Sequence, residues 1–151
     1  MAYQFLPIYN IHTPVGANQA NNPRDVELVQ RLFNLWRRYA PSAAALPALA
    51  NDGAFSPSLG QHIAAFQAQS TGPTPPQRSH RPDQASPSPA GGMAHDGRID
   101  PIRQRDMHFL QNIGRHTSTL LLLNFNCCQR NATAHRRIAE EMQLLIEFSM
   151  R

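Results

Sequence analysis

Seven histidines, two adjacent cysteines and ten carboxylates are the side chains in this chain with chemistry beyond packing. The histidines stand at 12, 62, 80, 95, 108, 116 and 135. None is four residues from another on one helix with a glutamate between, the arrangement by which a zinc-peptidase helix presents two imidazoles and a general base. His95 beside Asp96 is the nearest metal-like pair, yet a histidine next to an Asp-Gly turn reads first as turn chemistry. His108 and His116 share a helix face only if Gly114 does not break the helix. Cys127 and Cys128 are neighbours, so a mutual disulfide is strained and a metal site lacks ligands; within an apolar run they read as small buried residues. There is no Gly-x-Ser-x-Gly elbow and no phosphate loop, and nothing in the sequence makes Glu27, Asp52 and Glu140 converge as glycan cleavage requires. The pattern is that of a non-enzyme, with neither metal nor cofactor expected.

The elements that position these residues fall into three zones. In residues 1–69, "NNPRDVELVQRLFNLWRRY" predicts a helix with Asn22 as N-cap, Pro23 at the first position, and Asp25 and Glu27 at the positive helix end. Val26, Val29, Leu32, Phe33 and Trp36 form its apolar face, widened by Leu28 and Leu35, and Pro41 stops it after Tyr39. "DGAFSPSLGQHIAAFQ" then reads as a turn at Asp52-Gly53 and a second helix capped by Ser56, with Pro57 first in the helix. Leu59, Ile63 and Phe66 make its stripe, and Gln61, His62 and Gln67 fall off it. Residues 70–92 contain no Val, Ile, Leu, Met or aromatic residue and hold six of the thirteen prolines, the composition of a mobile linker or loop. Residues 93–151 resume a helical pattern and are expected to pack on the first zone. "HDGRIDP" at 95–101 echoes "NDGAFSP" at 51–57. "IRQRDMHFLQNI" reads as a helix burying Ile102, Met107, Leu110 and Ile113. "TSTLLLLNFNCC" is a strand or a buried helix, and the chain closes with an amphipathic helix placing Ile138, Met142, Leu145 and Phe148 on one face.

Charge narrows the partners. All fourteen basic residues are arginine, and the net charge of +4 is spread along the chain. The only basic doublets are Arg37-Arg38 and Arg136-Arg137, which is not the concentrated, aromatic-interleaved footprint of a nucleic-acid binder. No apolar run reaches the roughly 18 residues of a membrane span, and "MAYQFLPIYNIHTP" lacks the basic and apolar regions of a signal peptide. Synthesis in the cytoplasm is expected, with delivery to the periplasm or inclusion in a secreted particle as the later step.

"VGANQANNPRDVELVQRLFN" followed by "NDGAFSPSLGQHIAAFQ" resembles the bacterial peptidoglycan-binding-like domain family over about residues 15–69. That family has a Gly-containing lead-in, an Asp-Val-x-x-Val-Gln-x-x-Leu helix, and an Asp-Gly-x-apolar-Gly-Pro turn opening a second helix that ends in Phe-Gln. Asp25, Val26, Val29, Gln30, Leu32 and Asn34 match the first block. Asp52, Gly53, Phe55, Pro57, Ile63, Phe66 and Gln67 match the second. Ser56 stands where the family has Gly, and Leu59-Gly60 replaces the usual Thr. The later "DGRIDP" resembles a downstream element of longer members.

The resemblance implies a mostly α fold, a small helical bundle of peptidoglycan-binding-like type. It implies a non-catalytic cell-wall-binding module whose partner is the glycan or stem peptide. Arg24, Asp52 and Gln61, near helix starts, are then the side chains placed to meet amides or a stem-peptide carboxylate, against their other reading as turn and surface residues. The alternative is a structural adaptor of a contractile injection system, a secretion assembly or a phage-like particle, docking protein with the same fold.

Overall fold

A computed structural model of the chain describes residues 6–70, 95–107, 118–144 and 148–150. Among the described residues it is mostly helical, with four packed helices and two short two-stranded sheets. Strand β1 (Leu6–Ile8) and β2 (Val15–Gly16) precede helix α1 (Pro23–Tyr39) and a 3-10 turn at Pro41–Ala43. Then come α2 (Pro57–Ser70), β3 (Arg98–Ile99), a 3-10 turn at Gln104–Met107, α3 (Thr119–Arg130), α4 (Ala132–Met142) and β4 (Phe148–Met150). Both sheets are antiparallel: β1 pairs with β4 in the register Ile8 to Phe148, and β2 pairs with β3, Val15 opposite Ile99.

The first two helices follow their sequence signals. Asn22 caps α1 by accepting from the Arg24 amide, Pro23 is first in the helix, and the Ala40 amide closes onto Trp36 before Pro41. Every residue of the expected α1 face is buried. Ser56 caps α2 through its hydroxyl, which accepts from the Leu59 amide at 3.3 Å. Between the two helices Phe66 meets Trp36 edge-on at 5.2 Å and Phe33 at 6.0 Å. Thr119–Leu123 is helical, and Leu120, Leu121 and Leu123 are all buried because α3 packs on α1, α4 and β1. Asn131 ends α3 and caps α4 by accepting from Ala134, so one residue separates two helices.

Several expectations are corrected. Ser70, assigned to the linker, ends α2; residues 71–92 of that zone lie outside the described residues. Residues 104–107 form a 3-10 turn that Asp106 closes by accepting from the Arg103 amide, so the α-helix expected there does not begin at Ile102; Leu110 and Ile113 lie outside the described residues. The last helix does not continue to Phe148. Gln143 turns left-handed at φ 53°, its amide reaches Glu140 and that of Leu144 reaches Ala139, the two bonds of a Schellman stop. Phe148 is instead in β4, where it pairs with β1. Leu145 lies outside the described residues.

Much of the irregular backbone is held by side-chain amides. Asn124 accepts from the Tyr9 amide at 2.9 Å and donates to its carbonyl at 3.0 Å, taking the place of a neighbouring strand. Asn10 grips Ile102 in the same way, Asn21 grips Gly16 and Asn34 grips Leu49. A buried amide or carbonyl without a partner costs about 1–3 kcal/mol, so these contacts are what let extended segments lie against the helices.

Candidate functional site

The matched residues Gln30, Gly53 and Gln67 belong to one device that the chain uses twice. Gln30 of α1 accepts from the Gly53 amide at 2.9 Å and donates to Asp52 Oδ1 and the Ala54 carbonyl, both at 3.0 Å. Gln67 of α2 accepts from the Gly97 amide at 3.0 Å and donates to Asp96 Oδ1 at 2.9 Å and the Arg98 carbonyl at 3.1 Å. In each turn the aspartate also accepts from the amide two residues on, Ala54 or Arg98, and the glycine has positive φ, 73° at Gly53 and 70° at Gly97. A helix glutamine thus clamps the next Asp-Gly turn.

Gln67 and His62 were expected off the apolar stripe of α2, and both are buried. Gln67 is drawn inward by its clamp. The His62 ring donates from Nδ1 to the Ser58 carbonyl at 2.7 Å and packs on Phe33, and burial lowers its pKa. Gln61 does stand exposed.

The residues expected to touch ligand do not form one site. Asp52 is exposed but committed to its turn: the Ala54 amide, then the Gln30 amide, hold its carboxyl below the usual range. Gln61 is on the outer face of α2. Among the described residues no hydrogen bond joins Arg24, Asp52 and Gln61. Arg24 lines a cleft of about 260 Å³ between the β1–β2 segment, the start of α1 and the end of α4, and neither Asp52 nor Gln61 is among its lining residues. Its Nη2 donates to the carbonyls of Met142 at 2.9 Å and Gln143 at 3.3 Å, which ties α1 to the C-terminal end of α4. Asp25, beside it, is buried and accepts from the amides of His12 and Thr13 and from the Thr13 hydroxyl, so its role is to hold the preceding loop. Leu28 and Leu144 give the cleft apolar walls, and His12 and Gln143 are exposed at it.

Behind the cleft is a buried polar cluster that no motif announces. The Tyr9 hydroxyl donates to the His135 carbonyl at 2.5 Å, the rings of Tyr9 and His135 lie 4.7 Å apart, and His135 Nε2 donates to Asn124 Oδ1 at 3.0 Å. Among the described residues His135 Nδ1 has no partner. Burial pushes the Tyr9 phenol up to about 12 and the His135 imidazole down to about 4. Cys127 is raised by burial and donates its thiol to the Leu32 carbonyl, which is the packing role expected of it. Among the described residues no three His, Cys, Asp or Glu side chains gather in metal-binding geometry, and no helix is long and apolar enough to cross a membrane. Compared with protein-family models, curated proteins and solved structures, the chain has no match.

Proposed function

We propose that the protein is a non-catalytic peptidoglycan-binding module. The observation that carries this reading is the repeated clamp. Of the residues on which the family resemblance rests, Gln30 holds the turn of Gly53, and Gln67 holds the "DGRIDP" echo by the same device. That consistency between local motif and packing is what supports reading the two blocks as one architecture. The clamp residues are internally committed, so recognition falls to other groups, and the Arg24 cleft, the larger of two described cavities lined by arginine, is a concave surface with a cation at its edge.

Binding is expected to be weak, because a small site for a hydrated polymer replaces many water bonds while burying little apolar area. Co-sedimentation of the purified chain with insoluble sacculi tests this. The chain is expected to pellet at low salt without clearing the turbidity of the suspension. Its remaining in the supernatant at low salt, where any ionic contribution is largest, would refute the reading and place the protein-docking adaptor first.

A further inference from the structure

We propose that the Arg24 cleft seats the terminal carboxylate of a short aliphatic peptide, with the D-alanine end of a stem peptide as its source; the choice of source rests on the peptidoglycan reading. Three observations lead there. Arg24 uses only Nη2 on the carbonyls of Met142 and Gln143, which leaves the Nε and Nη1 donors without a partner among the described residues. A guanidinium edge with free donors favours a carboxylate over a neutral acceptor, since charge-assisted bonds are about twice as strong. Among the described residues the one carboxylate in the wall is Asp25, and it already accepts from the His12 and Thr13 amides and the Thr13 hydroxyl in place of the Arg24 donors.

Size and lining define the rest of the ligand. At about 260 Å³ the cleft is smaller than the roughly 300 Å³ at which drug-sized sites begin, room for one or two residues and not for a sugar chain. Leu28 and Leu144 supply apolar wall suited to a methyl or short aliphatic side chain. Gln143, exposed at the rim with no bond from its side chain among the described residues, offers an amide to the peptide backbone. Tyr9, Gln143 and Leu144 all lie outside residues 15–69, so the cleft is built largely by parts of the chain that the family resemblance does not cover.

The test is amide-shift mapping of the full chain by NMR, titrated with a tripeptide ending in D-Ala-D-Ala, its C-terminally amidated form, and the L-Ala-L-Ala form. The D-peptide is expected to shift Asn10, His12, Arg24, Leu28 and Gln143, and amidation to weaken it about tenfold. Arg24→Gln should weaken the D-peptide to a similar extent, with the spectrum reporting whether the fold survives the loss of the α4 contacts. If it does not survive, Gln143→Glu, which sets a like charge at the rim, takes its place and should also weaken binding. Shifts elsewhere, or equal binding of the amidated peptide, would overturn the site. Preference for the L-peptide would overturn the cell-wall source. Pelleting with sacculi that is unchanged by Arg24→Gln or Gln143→Glu would sink this assignment while leaving the peptidoglycan reading intact.

Discussion

Gln67→Glu keeps the shape of the second clamp and exchanges its donating nitrogen for an acceptor. In the native protein that nitrogen stands 2.9 Å from Asp96 Oδ1, 3.1 Å from the Arg98 carbonyl and 3.3 Å from Thr119 Oγ1, on a side chain only 1 % exposed. Two charges about 3 Å apart at an effective dielectric of about 20 repel by about 5 kcal/mol. Taking up a proton is the cheaper outcome: keeping a carboxyl neutral at pH 7 against an ordinary value of about 4.3 costs about 4 kcal/mol, and the new O–H restores one of the two lost donors. The other lost donor adds about 1 kcal/mol. The variant should therefore be weaker than the native chain by about 5 kcal/mol at pH 7 and by about 1 kcal/mol near pH 4. The direction follows from linkage: the folded state raises the introduced carboxyl, so destabilisation sets in as pH climbs past the unfolded value and grows from there. Urea unfolding of both proteins from pH 4 to 7 measures it, and adding Asp96→Asn, which turns the facing acceptor into a donor, should recover at least half the loss. A pH-independent deficit, or no rescue by Asp96→Asn, would refute the clamp as the reason Gln67 is buried.

Two further outcomes follow from the same geometry. Gly53→Ala and Gly97→Ala should differ, although both glycines have positive φ that costs an L-residue about 1–2 kcal/mol. A Cβ at Gly53 would lie 2.7 Å from the Pro23 carbonyl oxygen, while one at Gly97 meets nothing within 4 Å, so thermal unfolding should find Gly53→Ala the weaker by about 1 kcal/mol or more; equal losses would contradict the packing of the first turn on α1. His135, lowered from 6.5 to about 4 by burial, favours the folded state while neutral. That contribution is complete above pH 6.5 and is lost as pH falls toward 4, by about 3 kcal/mol at most, with His62 acting in the same direction. His135→Gln should flatten the stability curve in this window, and an unchanged slope would show that another group titrates there.

The legible parts of the fold are those whose cause is local. Asn22, Pro23 and the α1 stripe announce a helix because cap and face lie within one segment, and Ser56-Pro57 does the same for α2. The α4 stop was illegible because a left-handed residue is usually signalled by glycine, and here glutamine takes that conformation while Arg24, 118 and 119 residues away, caps the exposed carbonyls. Phe148 continues the helical period in sequence, yet its place is decided by β1 at the other end of the chain. The run at 119–123 withheld its type since a continuous apolar segment, buried but for the half-buried Leu122, has no polar face to set a period. As for the site, Arg24 was named for its place at a helix start. Its neighbours Tyr9, Gln143 and Leu144 carried no motif, and only tertiary packing brings them to it.

The clamps also separate the residues that define the pattern from those that are free to recognise anything. Gln30 and Gln67 are buried and spend both ends of their amides on turns, and Asp52 and Asp96 accept from those amides. Substituting any of them would loosen a turn before it altered a ligand contact, so a binding loss in such a variant reports folding unless stability is measured beside it. Arg24 differs because its structural bonds use one nitrogen and its charge stays at an exposed cleft. Arg24→Lys therefore splits its two roles: an ammonium keeps the charge and can hold one carbonyl of α4, but it cannot grip those carbonyls and a carboxylate together as a planar guanidinium can. Stability near that of the native protein with weakened peptide binding is the combination that a recognition role for Arg24 requires, whereas parallel losses in both would place it with the clamp residues as a determinant of the fold alone.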